Sequence, residues 1–294
     1  VLYDPETQIL VTNGVSEGLD IALRSIINPG DEVIYFEPCY VSYSATIKLA
    51  YGKAVAIPTH CEDGFAIDIN QLQKTITHKT KAIMLNYPAN PTGASIDKQT
   101  LEAIASLAIH HNLIVIADEI YDEITYNGNH FSIISIPGMP ERTIYLNGFS
   151  KAYAMTGWRL GYACGSESII SAMNKIHQYT ALCAPSIAQY AAIEAITHGQ
   201  RDVATMRSHY VKRRNFISSR LQEIGLPCYP PKGAFYVFPS IAKTGLSSRE
   251  FAVRLIKSHK VAVVPGTAFG SCYDNHIRCS YATSIEQLKE AMDR

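Results

Sequence analysis

Up to about residue 200, short apolar runs rich in β-branched residues alternate with longer stretches of helical period, a pattern that predicts parallel strands joined by crossover helices. The runs are Ile9–Thr12, Glu32–Phe36, Ala54–Pro58, Lys81–Asn86, Leu113–Asp118, Thr143–Asn147 and Arg159–Cys164. Between them, Glu17–Ile27, Asp68–Thr77, Lys98–His111 and Ser166–Tyr179 carry helical periodicity. Asn28-Pro29-Gly30 stops the first helix, and Asp97 is placed to cap the one that Lys98 begins.

Beyond residue 200 the pattern changes. A long charged helix, Asp202–Glu223, leads through Pro227, Pro230, Pro231 and Gly233 into a strand at Ala234–Phe238. A helix at Ser248–His259, strands at Val261–Val264 and Ile277–Ser280, and a final helix from Ser284 complete it. The expected organisation is an α/β unit over residues 1–200 and a smaller C-terminal α+β unit over 201–294, joined by the long helix. No internal repeat or low-complexity segment interrupts it.

Composition narrows the function. A chain of 294 residues buries a substantial core without staples. Lys plus Arg and Asp plus Glu are each 26, so no basic field is available for nucleic acid or an anionic membrane. Seven cysteines stand singly, which argues against a disulfide framework or a zinc site and for a cytoplasmic protein; no metal is expected. No stretch has the length of a membrane span, and residues 1–20 lack the form of a secretory signal.

Four segments carry candidate chemistry. Asn13-Gly14-Val15-Ser16-Glu17-Gly18 turns a strand end into a helix start, where free amides and the helix dipole favour an anion; a turn glycine and a helix cap account for the same residues. Asn86-Tyr87-Pro88-Ala89-Asn90-Pro91-Thr92-Gly93 follows another strand, and its prolines and glycine stiffen a loop that aims Asn86 and Asn90. In Ala117-Asp118-Glu119-Ile120-Tyr121 an apolar strand ends in a carboxylate with a phenol three residues on. Asp118 either meets a cation, such as a protonated pyridine nitrogen, or caps a helix. Asn147-Gly148-Phe149-Ser150-Lys151 places an amine directly after an apolar strand, with Arg159 eight residues later. A pocketed amine can lose its proton and act as a nucleophile, and a guanidinium can grip a phosphate bidentately.

Together, the NPTG, DEIY and SKxxxxxxxR motifs and the stretch GFSKAYAMTGWRLGY at Gly148–Tyr162 resemble fold-type I aminotransferases of class I/II, the aspartate aminotransferase family. The likeness runs from about Ile9 to the C-terminus. It implies a mostly parallel seven-stranded sheet sandwiched by helices and a pyridoxal 5'-phosphate (PLP) cofactor in Schiff-base linkage with Lys151. It further implies that Asp118 pairs with the pyridinium nitrogen, that Tyr121 and Asn90 bond the phenolate oxygen, and that Tyr40 stacks on the ring. The amides around Val15, Ser16 and Glu17, with Arg159, match the phosphate anchors, and Arg278 matches the clamp for the substrate α-carboxylate. Many members carry a phosphate-binding serine where this chain has Gly148, which leaves Ser150 as the substitute.

The implied activity moves the amino group of an L-amino acid to a 2-oxo acid by a ping-pong route, in a homodimer. A carbon–sulfur β-lyase or a PLP-binding module without turnover would carry the same residues. A nucleotide-binding α/β protein is disfavoured, because neither GxGxxG nor GxxxxGK[ST] follows the first strand. Family members begin earlier, so an N-terminal segment that completes the small domain and substrate pocket is expected to precede Val1, and the last helix is expected to extend past Arg294. Arg278 answers only for the α-carboxylate that every amino acid shares, and His110, His111 and His177 sit on helical stretches as surface or core residues, not ligands.

Overall fold

The alternating runs become strands and the periodic stretches helices in the computed structural model, which describes residues 2–126 and 128–294. In chain order the elements are β1 (Ile9–Thr12), α1 (Val15–Ile26), β2 (Glu32–Glu37), α2 (Ser42–Leu49), β3 (Lys53–Pro58), α3 (Ile69–Thr75) and β4 (Thr80–Asn86). There follow α4 (Lys98–His110), β5 (Ile114–Asp118), β6 (Thr143–Gly148), β7 (Gly161–Cys164), α5 (Glu167–Thr180), α6 (Ser186–His198) and α7 (Gln200–Glu223). The chain ends with β8 (Tyr236–Val237), α8 (Ser248–His259), β9 (Val264–Pro265), β10 (Ile277–Ser280) and α9 (Ile285–Asp293).

The first seven strands form one sheet in the order β1-β7-β6-β5-β4-β2-β3. β3, β2, β4, β5 and β6 run parallel, whereas β7 is antiparallel to both β6 and β1. Alternation along β2 shows how the sheet is sandwiched: Val33 and Tyr35 join a core with α1, α2 and α5, and Ile34 and Phe36 join one with α3 and α4. Burial on both faces explains why these strands are continuously apolar. The chain crosses from β2 to β3 on one side and then returns past β2 to place β4 on the other. Strand carboxyl ends beside such a reversal leave a crevice for ligands.

A three-stranded sheet, β8-β10-β9, lies beyond α7. Its core takes Tyr210, Phe235, Val237 and Leu288 from the C-terminal part but also Ile120, Tyr121 and Ile124 from the segment after β5. The smaller sheet is thereby packed directly against the loop that carries candidate chemistry.

Several boundaries differ from those predicted by pattern. Asp97 does cap α4, its Oδ1 accepting from the Thr100 amide at 2.7 Å. α1 starts at Val15, two residues before the apolar periodicity begins. α2 escapes the pattern because it buries only Tyr43 and Ile47 in a Ser/Thr-rich octamer. α6 escapes it because its isoleucines face outward, erasing the apolar stripe. Arg159 leaves the predicted strand for left-handed backbone, with φ 54° and ψ 54°. The strand predicted at Val261–Val264 pairs only at Val264–Pro265.

Ile34 is fully buried in β2 between two parallel neighbours. Ile34→Ala is expected to destabilise the protein by about 3 kcal/mol in urea unfolding, since truncation removes apolar contact and leaves a cavity. A loss within experimental error of zero would contradict that packing.

Candidate active site

The ends of β1, β2, β4, β5 and β6 converge on one side of the sheet. In register, Asn86 at the end of β4 pairs with Asp118 at the end of β5, and Asp118 pairs with Leu146 of β6. The Asn86 amide donates to the Asp118 carbonyl at 2.8 Å, and its Oδ1 accepts from the Asn90 backbone N–H at 3.2 Å. These bonds tie the loop after β4 to the end of β5.

A cavity of about 400 Å³ opens over these ends. Val15, Ser16, Tyr40, Asn90, Asp118, Tyr121, Ser150, Lys151, Arg159 and Arg278 all line it. Of the residues singled out from sequence, only Glu17 does not; its carboxylate turns away to bond the Asn13 backbone N–H and His177. Since α1 starts at Val15, the amides of Val15, Ser16 and Glu17 lack helical carbonyl partners and form a dipole-favoured anion site. Gly14, at φ 77°, makes that turn possible, and a Cβ there would stand 2.6 Å from an Arg159 guanidinium nitrogen. The guanidinium therefore lies against the turn.

Asp118 is buried, and its Oδ2 accepts from the Tyr43 hydroxyl at 2.7 Å. Burial pushes its pKa up to about 6, against the Tyr43 and Ile120 hydrogen bonds and the Lys151 charge, which favour the anion. Lys151 moves the other way. Burial draws its pKa below the ordinary lysine range, and Arg159 and Arg278 add to the fall while Asp118 opposes it. Its Nζ stands 5.8 Å from the ring centres of both Tyr121 and Phe235. A poised amine, a buried acid and two guanidinium ions thus share one cavity.

Residues 1–294 match the model of the family described as aminotransferase class I and II. The chain belongs to this family.

An aromatic-amino-acid aminotransferase of Thermococcus litoralis is 45% identical over 294 residues, covering 99% of this chain and 76% of that protein. An aspartate aminotransferase of Pyrococcus abyssi is 46% identical with the same coverages, 99% and 76%. The crystal structure of an aromatic aminotransferase from Pyrococcus horikoshii superposes with TM-score 0.97 at 44% identity, over 100% of this chain and 79% of that one. Its fold is that of this aminotransferase.

Two residues in and behind the cavity carry no local sequence motif. Tyr236 lines the cavity, its hydroxyl 3.1 Å from that of Tyr121 and its ring 4.4 Å from the Arg278 guanidinium carbon. Tyr43 donates to Asp118 from α2, a helix the pattern does not mark. Both lie far in sequence from their partners, so only the aromatic richness of Ala234–Phe238 hints at the first. Arg278 also rests 4.9 Å from Phe269, and its Nη1 donates to Asn90 Oδ1 at 2.8 Å. Its Nε is buried with no partner among the described residues.

Because folding raises the Asp118 pKa from 3.8 to about 6, the folded chain holds this proton more tightly and loses stability as pH climbs through that interval. The stability of Asp118→Asn relative to wild type is expected to rise by up to roughly 3 kcal/mol from about pH 4 to pH 7. Urea unfolding without added cofactor measures it, and a pH-independent difference counts against a desolvated charge here.

Proposed function

We propose that this aminotransferase holds PLP in the 400 Å³ cavity and moves the amino group of an L-amino acid to a 2-oxo acid, in two half-reactions at the same place. The observation that carries the proposal is the convergence of Lys151, Asp118, Arg159 and Arg278 on that cavity.

The donor set suits the group. A phosphate dianion fits the free amides of Val15, Ser16 and Glu17 together with Arg159, with the Ser150 hydroxyl beside them. A pyridinium nitrogen needs a buried carboxylate, and Asp118, otherwise raised to about 6 by desolvation, would be held ionised by such a cation. Tyr121 and Asn90 offer polar hydrogens for a phenolate oxygen, and Tyr40 offers an aromatic face. When bound, PLP supplies a carbonyl that reacts with amines and a ring that accepts the electron pair released at the amino acid Cα.

The chain's own residues do the rest. Lys151, whose pKa burial and two cationic neighbours draw below the ordinary lysine range, is the nucleophile that anchors the cofactor and the base that carries the Cα proton. Arg278 binds the substrate carboxylate. Its guanidinium is held in place by Asn90 and by the Tyr236 and Phe269 rings, and this presents the carboxylate in one orientation. The Tyr236 hydroxyl, bonded to Tyr121, couples the carboxylate clamp to the cofactor-facing phenol. Residues 201–294 form the smaller unit that brings Tyr236 and Arg278 to the cavity.

Adding PLP to the purified protein is expected to produce a visible absorbance band that amino acids bleach and 2-oxo acids restore. Lys151→Ala is expected to lose the band and to lower kcat by roughly 10⁴-fold. A colourless wild type sinks the proposal, and release of ammonia without a 2-oxo acid requirement would point to lyase chemistry.

The proposed assembly is a homodimer in the cytoplasm. Seven unpaired cysteines suit a reducing compartment. On α6, Ile187 and Tyr190 are each 76% exposed and Ile193 is 61% exposed, an apolar stripe that a second copy would cover. Tyr190→Glu with Ile193→Glu is expected to shift the sedimenting species to half its mass, and an unchanged mass would place the contact elsewhere.

A further inference from the structure

The carboxylate of Glu17 is an unexpected group one turn into a helix whose N-terminus faces an anion site, since its charge would repel a phosphate. The structure shows how it is turned away. Oε2 accepts from the Asn13 backbone N–H at 2.5 Å and from the Asn13 side-chain amide at 3.1 Å. Oε1 accepts from Nδ1 of His177 at 2.8 Å. His177, on α5, is only 4% exposed, so the pair crosses the interface between α1 and α5 behind the cavity.

The same loop is pinned from two other sides. The Thr12 hydroxyl donates to the Gly14 carbonyl at 3.0 Å, and the Gly14 N–H donates to the Thr12 carbonyl at 2.8 Å. Gly161 of β7 presses so close that a Cβ there would meet the Val15 nitrogen at 2.7 Å. Thr12 and Gly161 limit where the loop can go. The Glu17 carboxylate alone bonds both the backbone and the side chain of Asn13, the residue before the turn.

We propose that Glu17 and His177 are positioning residues for the phosphate cradle: they clamp Asn13 from behind, so that the turn at Gly14 presents the Val15 and Ser16 amides to the cavity. The inference rests on the PLP reading of the cavity and adds two side chains that touch neither cofactor nor substrate. The physical basis is preorganisation. Amides held in place before the anion arrives do not lose the ordering entropy that a mobile loop would. Without the carboxylate, the Asn13 donors and the buried imidazole lose their partner, and the turn is free to adopt other conformations.

Absorbance titration of wild type, Glu17→Ala, Glu17→Gln, His177→Leu and His177→Gln with PLP and with pyridoxal, which lacks the phosphate, tests the proposal. Glu17→Ala and His177→Leu are expected to bind PLP roughly tenfold more weakly while pyridoxal affinity changes less than about twofold. Glu17→Gln, whose amide oxygen still accepts from Asn13, and His177→Gln, which retains an N–H donor, are expected to recover most of the PLP affinity. Equal losses for PLP and pyridoxal, or no loss for PLP, overturn the positioning role while leaving the PLP reading intact. A wild type that binds neither removes that reading and this proposal together. Circular dichroism melts identify any variant that fails to fold; whichever of Glu17→Ala and His177→Leu folds then carries the comparison with its glutamine counterpart.

Discussion

The hydrogen-bonded register of β4, β5 and β6 governs everything built above it. Asn86 lies opposite Asp118, and Asp118 lies opposite Leu146, so an amide, a carboxylate and the strand leading to Lys151 reach the same edge of the sheet together. A slip of one residue would turn every side chain to the opposite face and send Asp118 into a helix-covered core. The cores on both faces prevent such a slip, because alternate residues of each strand are committed to different layers. Packing that looks purely structural thereby fixes the spacing of the functional groups.

On that frame, burial sets the electrostatics in opposite directions for acid and base. The same loss of water raises Asp118 to about 6 and draws Lys151 below its ordinary range. Each shift favours the neutral form of its group, the form in which an amine attacks, whereas a carboxyl group is returned to its ionised form by a cation placed against it. The two guanidinium ions divide the cavity. Arg159 lies against the turn before α1, and Arg278 is held by Asn90 and two rings at the other unit.

The smaller sheet contributes more than a cover. Phe235 and Tyr236 pack edge-on against Tyr121, and Tyr210 stacks on Phe235, so the phenol after β5 belongs to the hydrophobic core of the C-terminal part. A shift of that sheet would move Tyr121, Tyr236 and Arg278 together. Asp122 serves a comparable purpose behind Lys151. It accepts from the Asn147 side-chain amide at 2.7 Å while Asn147 Oδ1 accepts from the Gly148 N–H at 2.7 Å, which braces the strand end before the lysine.

By itself the sequence determined the alternation of strands and helices, the family, and the identity and order of Lys151, Asp118, Tyr121, Asn90, Arg159 and Arg278. These features are local, carried by periodicity and by short motifs at strand ends, so neighbouring residues are enough to reveal them. Tertiary structure alone decided the antiparallel place of β7, the outward face of α6, the turning away of Glu17, and the contacts of Tyr43, Tyr236 and His177. Those depend on contacts across 75 residues for Tyr43 and Asp118, 115 for Tyr121 and Tyr236, and 160 for Glu17 and His177. No local period encodes a partner at such separations, because the pairing exists only once the sheet has brought its strand ends and helices together.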